Sequence, residues 1–567
     1  MGGFKSSLIV SCVALFLIPD IASSTVTKKT GRKILTKSNG ITIPFAENKG
    51  QLKDPSILFY SNTFTCTVSV YRDGSIGYGL QGNKAGKEKQ LWEIREKPGG
   101  KLKTSPTGGQ KAIAKVNHFK GKDPRKWVTG ISTFNSVNMT EIYPGVSVTL
   151  QAHGNNVEKI FDVHPGADPN KIRLNIIGAN ALRLTENGEL EVNTRAGSMR
   201  FTHPVAYQRI NGEKKPIDVA YTVRGMSYGF ELAAYDRTKE LIIDPLITAK
   251  FQGIADNKTM PTCMAADGQG NIYVAGYAAN QYAVFKFDGK LKTLLSSALF
   301  SSLSWSREGH PCIYDIAVDQ QDAVYLVGGT TDKDFPVTGG ALDTDFNGGQ
   351  YSGLKSDGFV IKFNADLNAI QSSTFIGEDG HDVAYGIAIA RDGTVYVVGE
   401  TSNPGTDAIP FPTSPDAYDK NSGREQKRKA FVTRMNSELQ TILSSTLLGY
   451  NGDVKADDYG LLDCAYDVAI DADGAIIVAG MTQSEYFPVT GNCADAVFQG
   501  GSEAFISKFD PDLEHLLAST FIGGAGREKA NVLGIAANNE IVVAGWTLSS
   551  DFPVVQEIGR ASCRERV

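Results

Sequence analysis

Five copies of one short strand pattern occur in the second half of this chain and strongly restrict its possible folds. Each copy is an apolar, mostly β-branched run that ends in Ala-Gly or Val-Gly, and successive glycines lie 52, 71, 81 and 65 residues apart. Repeats of this size are typical of β-propellers, in which each repeat is one blade and insertions fall in loops. The five copies occupy residues 272–276, 324–328, 395–399, 476–480 and 541–545.

The fourth repeat shows the internal order of one unit. Strand patterns at 464–471 and 475–482 flank the turn Ala472-Asp473-Gly474, and two more strand patterns follow at 503–509 and 516–522. Four short strands joined by turns make one propeller blade, and the runs are too short and too rich in glycine for helices. Matching strands of the second and third repeats lie at 312–319, 359–363, 373–376, 383–390, 431–435 and 445–448. We count four complete repeats and the opening hairpin of a fifth over residues 248–556.

Composition agrees with a folded, turn-rich β protein. The 567 residues include 60 Gly and 22 Pro, yet 41% of all residues are apolar, which excludes collagen, a coiled coil and intrinsic disorder. The 57 Lys and Arg against 62 Asp and Glu give a formal charge of -5, so the chain lacks the basic surface that a nucleic-acid partner requires.

The first 24 residues have the order of a secretory signal peptide. Lys5 precedes an 11-residue apolar run at 8–18, and the small residues Ala22, Ser23 and Ser24 follow it. The run is too short to span a membrane, and the alternatives are a buried strand, an anchor or a lipobox ending at Cys12. The pattern predicts export to the cell surface or the medium, with a basic linker at 25–40 and no transmembrane segment after signal removal.

The last 11 residues abandon the apolar alternation. Residues 557–567 (EIGRASCRERV) resemble the in-frame translation of a sequencing adapter, which predicts that the natural protein continues past Gln556; the alternative is a genuine basic tail. Five cysteines remain outside this tail and the signal. Five is an odd number and no C-x-x-C pair exists, so no disulfide framework or zinc site is indicated, although Cys464 could pair with Cys493.

Several motifs recur in order within the repeats and resemble the SBBP family, which is named for a seven-bladed β-propeller. The resemblance covers about residues 251–556 and implies seven blades, so this chain would hold an open part of a ring. The third repeat departs from the pattern at 410–413, and the first repeat lacks the Phe-Pro element. The motifs lie at 334–337, 486–489, 551–554, 341–349, 373–377 and 519–523.

Residues 41–247 carry no such repeat but alternate strand patterns with Gly, Asn and Asp turns. They predict a separate, sandwich-like all-β domain, so the expected fold class is an all-β chain with this domain followed by an incomplete β-propeller of four-stranded antiparallel blades. The domain is similar to a domain of unknown function that often precedes SBBP repeats. The resemblance rests on residues 47–51, 116–119, 142–146, 164–169 and 243–245.

Two motifs suggest enzymes but lack the structural context that the chemistry needs. Residues 225–229 (GMSYG) match the nucleophile elbow, but a strand pattern follows where a helix is required, so we interpret them as a hairpin turn. Residues 77–82 match the dinucleotide fingerprint without opening a helix. The seven histidines show no metal-ligand spacing, and we predict no catalytic residue.

Asp343, Asp345, Asn347 and Gly348 match the start of a calcium-binding loop. The twelfth position is Leu354 instead of the bidentate Glu, so a simple turn is the default interpretation and calcium the alternative. No other cofactor is expected.

The loops of most variable length all emerge on one face of the blades, where binding sites are commonly built. We hypothesise that this face binds a protein or a glycan. The charged candidates in these loops are Asp332, Asp334, Asp453, Asp457, Asp458, Arg424, Lys427 and Arg428.

The sequence therefore predicts an exported bacterial surface or extracellular protein that acts as a non-enzymatic propeller scaffold for interaction or adhesion. The alternative is a secreted polysaccharide-active enzyme with its site in the propeller funnel, since a fold does not determine a function. Acidic, His or Tyr residues gathered at the funnel would favour the enzyme. A missing C-terminal part carrying a further domain is a third possibility.

Overall fold

A computed structural model describes residues 42–62, 67–82, 90–100, 102–154, 156–194, 197–244, 246–247, 260–278, 281–301, 312–348, 356–402, 409–421, 428–450 and 462–553. The predicted signal, the basic linker and the adapter-like tail lie outside these ranges. Within them the chain forms 39 strands and two short 3-10 turns, Pro124–Lys126 and Pro169–Lys171. No helix of the described ranges is long and apolar enough to cross a membrane.

The N-terminal part contains 21 strands. They are β1 Phe45–Glu47, β2 Ile57–Asn62, β3 Thr67–Tyr71, β4 Ile76–Gly82, β5 Gln90–Pro98, β6 Thr107–Gly108, β7 Lys111–Phe119, β8 Val128–Phe134, β9 Ser136–Tyr143, β10 Val146–His153, β11 Asn156–Val163, β12 Leu174–Ile177, β13 Ala181–Leu184, β14 Leu190–Thr194, β15 Gly197–Phe201, β16 Val205–Ile210, β17 Glu213–Ile217, β18 Val219–Arg224, β19 Ser227–Leu232, β20 Leu241–Asp244 and β21 Leu246–Ile247.

Two large sheets and the three-stranded sheet β13-β14-β15 enclose the core of this part. One runs β18-β19-β12-β5-β4-β3-β2-β1-β8-β7, and the other runs β17-β16-β20-β11-β10-β9-β6. Alternate residues of β10 and β11 are buried, as expected for strands with one face on a core. Phe45 and Tyr78 from the first sheet share one apolar cluster with Leu150 and Phe161 from the second. This arrangement confirms the sandwich-like class predicted for the N-terminal part.

The blades follow in chain order. Their strands are β22 Met260–Ala266, β23 Ile272–Ala278, β24 Gln281–Phe287 and β25 Leu294–Phe300 in blade 1; β26 Cys312–Val318, β27 Val324–Thr330, β28 Asp357–Phe363 and β29 Ile370–Ile376 in blade 2; β30 Asp382–Ile389, β31 Val395–Ser402, β32 Arg428–Met435 and β33 Ile442–Leu448 in blade 3; β34 Asp463–Ile470, β35 Ile476–Thr482, β36 Glu503–Phe509 and β37 Leu516–Ile522 in blade 4; and β38 Glu528–Ile535 with β39 Ile541–Thr547 in blade 5.

Neighbouring strands within each blade pair antiparallel, and the first strands β22, β26, β30, β34 and β38 contact one another in succession. The predicted fold class is thereby confirmed: four-stranded antiparallel blades follow an N-terminal β domain. Among the described strands the blades form no closed ring. The predicted turn at residues 472–474 is also confirmed, because Asp471 Oδ1 accepts from the amides of Asp473 and Ala475 and Gly474 has φ +87°.

The repeated glycine of each second strand lies where the first strand bulges. A Cβ placed on Gly399 would lie 1.9 Å from the carbonyl oxygen of Val383 and 2.7 Å from Cε1 of Phe431. The corresponding carbonyl distances are 2.1 Å at Gly276, 2.1 Å at Gly328, 2.0 Å at Gly480 and 1.9 Å at Gly545. Any side chain here would collide with backbone, which explains why the repeat retains glycine at this position.

The Phe-Pro segments cover sheet edges. In blade 2, Phe335 packs on Phe359 at 4.6 Å between ring centroids, and the amide of Thr338 donates to the carbonyl of Ser373 in the outermost strand. Phe411 and Phe487 pack in the same way on the third strands of blades 3 and 4. Exposed strand edges invite aggregation, so these segments protect the fourth strands.

Blade 1 lacks a Phe-Pro segment, and a strand of the N-terminal part covers its edge instead. Residues 115–119 of β7 pair in parallel with residues 296–300 of β25, and Asn117 Nδ2 donates to the carbonyl of Ser297 at 3.1 Å. The N-terminal sheet thus continues into blade 1 as a 14-stranded sheet across the predicted domain boundary at 247/248.

Candidate functional site

The charged loop residues predicted to bind a partner are only partly described. Arg424, Lys427, Asp453, Asp457 and Asp458 lie outside the described residues. Arg428 forms an ion pair with buried Glu400 at 3.2 Å, and Asp332 accepts from the Ser301 hydroxyl at 2.5 Å. Asp334 is exposed. Of the three described residues, two are therefore engaged within the protein.

The predicted calcium loop uses its polar groups internally. Asp343 Oδ1 accepts from the amide of Asp345, and the amides of Asn347 and Gly348 both donate to the Asp357 carboxylate at 2.8 Å. No group of three His, Cys, Asp or Glu suited to a metal ion occurs among the described residues. Calcium bound by Asp343, Asp345 and Asn347 stays a prediction.

The first strands of the blades carry a second group of polar and aromatic residues. Each of these strands bulges opposite the repeated glycine, so that one residue is inserted between two that pair. A bulge redirects the side chain of the extra residue. The inserted residues are Thr262, Tyr314, Tyr385, Tyr466 and Asn531. We call the surface formed by these five strands the funnel.

Three consecutive inserted residues are tyrosines that contact one another across blades. The ring centroids of Tyr314 and Tyr385 lie 4.7 Å apart, and those of Tyr385 and Tyr466 lie 5.2 Å apart. Lys529 Nζ from blade 5 lies 3.5 Å from the Tyr466 centroid. All three tyrosines are partly exposed. The funnel thus presents an aromatic row that ends in a cation, which we call the tyrosine row.

The buried carboxylate of Glu400 is hydrogen bonded to the tyrosine row. Glu400 accepts hydrogen bonds from the Tyr385 hydroxyl at 3.1 Å and the Cys464 thiol at 2.5 Å. Its other partners are Arg428 and His381, whose Nε2 lies 3.5 Å away. Burial alone would raise the pKa of Glu400, but the hydrogen bond from His381 and the charge of Arg428 lower it to about 2. Glu400 is therefore ionised and fixes the orientation of Tyr385.

Two further carboxyl groups follow the tyrosines in sequence and link neighbouring blades. Asp315 Oδ2 accepts from the amide of Ile387 in blade 3 at 3.0 Å, and Asp467 Oδ2 accepts from the amide of Leu533 in blade 5 at 2.6 Å. Burial and the charge of Asp467 raise the pKa of Asp315 to about 7. Burial raises the pKa of Asp467 to about 6.

These raised pKa values predict how stability depends on pH. Between about pH 4 and pH 7 the folded protein holds protons on Asp315 and Asp467 that the unfolded chain releases, so stability falls as the pH rises. Asparagine cannot ionise and avoids this loss. From pH 5 to pH 8 we expect the unfolding free energy of wild type to fall by about 3 kcal/mol more than that of D315N/D467N.

Urea unfolding at the two pH values measures this difference. D473N, in an exposed turn, is the matched control and should run parallel to wild type. A D315N/D467N curve that also runs parallel to wild type would show that these carboxyls are not buried as described.

The Cys464 thiol beside the tyrosine row is not activated as a nucleophile. Burial, together with the neighbouring charge of Glu400, raises the pKa of the Cys464 thiol well above its ordinary value, which keeps it protonated and a poor nucleophile. Residues 225–229 include the turn between β18 and β19, so the hairpin interpretation is confirmed, and residues 77–82 lie within β4.

Sequence reasoning missed the tyrosine row although its signal was present. The segments 312–315, 383–386 and 464–467 share a tyrosine at the third position. In a regular strand, successive side chains point to opposite faces of the sheet, and the position of this tyrosine would follow from that alternation alone. Only the bulge opposite the glycine directs it to the funnel, and a bulge is not visible in an alternating pattern.

Comparisons with known proteins give one family match. Residues 45–246 match the model of a domain of unknown function, DUF7948, which agrees with the resemblance found for residues 41–247. No curated protein matches the chain. Similar solved structures include BamB from Moraxella catarrhalis, at 10% identity over 88% of this chain and 96% of that chain with a TM-score of 0.25. The Dos1 propeller is 10% identical over 89% of this chain and 90% of that chain with a TM-score of 0.25. A Lactobacillus plantarum protein is 12% identical over 60% of this chain and 88% of that chain, also with a TM-score of 0.25.

Proposed function

We propose that this is an exported bacterial protein that acts at the cell surface or in the medium as a non-enzymatic scaffold, and that it binds a glycan or protein in its propeller funnel. The signal-like order of residues 1–24 supports export. The succession of four-stranded blades supports a rigid scaffold with loops and funnel available for binding. The motifs that resemble SBBP repeats support the same class, because the Phe-Pro segments serve packing and edge protection.

The tyrosine row is the observation that carries this proposal. Tyrosine presents a large, stiff, partly polar surface, and aromatic residues are enriched where proteins bind partners. Tyr385 is fixed by Glu400, and Tyr466 packs against Lys529. A surface that is ordered before binding costs little conformational entropy when a ligand binds. Sugar rings have apolar faces and hydroxyl edges, so a glycan fits an aromatic row flanked by polar groups.

A sedimentation assay tests the proposal. The protein is mixed with insoluble chitin, cellulose or collagen, and the bound fraction is measured. We expect wild type to bind at least one of these polymers and the Y385A/Y466A variant to lose most of that binding. Y207A is the matched control because Tyr207 also packs against a lysine, Lys214 at 4.1 Å, but lies in the N-terminal part. Absence of wild-type binding, or equal binding by Y385A/Y466A, would contradict the proposal.

One observation favours the alternative of a polysaccharide-active enzyme. Asp315 and Asp467 sit directly beside the tyrosines in sequence, and their pKa values of about 7 and about 6 fit a carboxyl that donates a proton near neutral pH. Both carboxyls, however, accept backbone amides that link blades. Release of reducing ends from the bound polymer, abolished in D315N or D467N, would support the enzyme over the scaffold.

A further inference from the structure

The blade junctions carry equivalent pairs of charged residues. A junction is the place where two successive blades meet. There the start of the third strand of one blade lies near the start of the first strand of the next blade. Asp357, Lys429 and Glu503 pair with the threonines Thr330, Thr401 and Thr482 in successive blades. On the other side, Asp382, Asp463 and Glu528 pair with Thr401, Thr482 and Thr547. The junctions can therefore be compared position by position.

At the junction of blades 4 and 5 the pair consists of two glutamates. Glu503 is 0% exposed and Glu528 is 1% exposed. A Cβ placed on Gly523 would lie 1.6 Å from Glu503 Oε2 and 2.8 Å from Glu528 Oε2, so both oxygens reach the same point beside this glycine. The repeated glycine after the fourth strand leaves space that the two carboxylates enter.

One oxygen of this pair has no partner in the protein. Glu503 Oε1 accepts from the amides of Gln499 and Gly500 at 2.9 and 3.1 Å, whereas the buried Glu503 Oε2 accepts no hydrogen bond. Glu528 Oε2 accepts only a long bond from the amide of Gly524 at 3.3 Å. Two buried carboxylates that face each other are strongly destabilising unless a cation or a proton lies between them.

At the junction of blades 3 and 4 a lysine takes the place of one acid. Lys429 stands at the position of Glu503, and its Nζ contacts Asp419 Oδ2 at 2.9 Å and the carbonyl of Asn421 at 2.6 Å. A Cβ on Gly449 would lie 2.4 Å from Asp463 Oδ2 and 3.3 Å from Lys429 Cγ. The lysine side chain and the aspartate thus share the space that two carboxylates share one blade later.

The junction of blades 2 and 3 again holds two acids. Asp357 accepts from the amides of Asn347 and Gly348, while Asp382 is 0% exposed and its Oδ1 has no hydrogen-bond partner. A Cβ on Gly377 would lie 2.4 Å from Asp382 Oδ2. This junction differs from the pair Glu503 and Glu528, because both Asp357 oxygens accept amides and only Asp382 reaches the space beside the glycine.

We propose that a hard divalent cation of the calcium class binds between Glu503 and Glu528, in the space that the Lys429 side chain enters one blade earlier. Carboxylate and backbone carbonyl oxygens are the ligands that calcium prefers, and calcium accepts irregular geometry that magnesium does not. This site uses none of the side chains of the predicted loop at Asp343, Asp345 and Asn347.

Calcium titration of the full chain tests this proposal. We expect isothermal titration with CaCl2, after removal of metal with EDTA, to show one ion bound at this pair, and we expect calcium to raise the melting temperature by about 3 °C or more. MgCl2 should give a smaller rise. The E503K variant introduces the lysine of the neighbouring junction, so it should lose this ion and melt in EDTA at least as high as wild type does.

Two further variants keep the test decisive. E528Q should also lose the ion, which gives a reading of the same site if E503K folds poorly. D345N is the matched control and should keep the ion, because Asp345 belongs to the other candidate loop. If the melting temperature of wild type changes with pH but not with calcium, the two glutamates share a proton and bind no cation, and the proposal is overturned. Unchanged stoichiometry in both E503K and E528Q would also overturn it.

Discussion

Replacing Gly399 by alanine is expected to lower the free energy of unfolding by about 3 kcal/mol, because the added methyl would meet a backbone carbonyl that has nowhere to move. The Val383 oxygen would lie 1.9 Å from the new Cβ, and the ring of Phe431 closes the other side at 2.7 Å. Val383 lies in the inner strand next to the bulge that presents Tyr385. Denaturant unfolding followed by far-UV circular dichroism measures the change.

The matched control for this variant is G534A. Gly534 also lies within a strand, β38, but a Cβ there would meet nothing within 4 Å. We expect G534A to change stability by less than about 0.5 kcal/mol. Equal unfolding curves for G399A and G534A would contradict the idea that the repeated glycine is required by the bulge.

Replacing Lys159 by methionine is expected to cost about 3–5 kcal/mol, because it leaves the Glu96 carboxylate buried without its counter-charge. Lys159 on β11 and Glu96 on β5 are almost fully inaccessible, and Nζ lies 2.5 Å from Oε1. The hydroxyl of Tyr228 contacts both groups, at 2.6 Å from Nζ and 2.8 Å from Oε1. The ion pair connects the two sheets of the N-terminal part, so its loss should reduce the unfolding free energy of that part.

A double variant separates the charge from the packing. In K159M/E96Q no charge remains buried, so we expect the double variant to recover a large part of the stability that K159M loses. R125A removes an ion pair at the exposed surface, between Arg125 and Asp123, and should unfold like wild type. If K159M and K159M/E96Q were equally unstable, the loss would come from packing and not from an unpaired carboxylate.

The blade architecture was predictable from sequence because the repeat combines two local signals. Strand alternation and Asp-Gly turns such as the one at Gly474 are short-range features that can be recognised in a single sequence. The Phe-Pro segments were visible as motifs, but their role was not. It depends on Phe335 reaching Phe359 and on Thr338 reaching Ser373, which are long-range contacts.

Two features could not be predicted for the same reason. The pairing of β7 with β25 joins residues 115–119 to residues 296–300, far apart in the chain, and no local pattern identifies the partner. The candidate site depends on bulges that place Tyr314, Tyr385 and Tyr466 next to one another. Sequence reasoning chose the charged loops instead, because loop charge is visible in a single sequence whereas side-chain direction across a bulge is not.

The equilibrium affinity of the tyrosine row is the most direct measure of the central claim, that the repeated glycine and its bulge build a binding surface in the funnel. Binding isotherms of wild type, Y385A, Y466A and Y207A are measured on the polymer that sediments the wild-type protein. We predict that Y385A and Y466A each weaken binding about tenfold, equivalent to about 1.4 kcal/mol, and that Y207A binds like wild type. Wild-type affinity in both funnel variants, or an equal loss in Y207A, would contradict the claim.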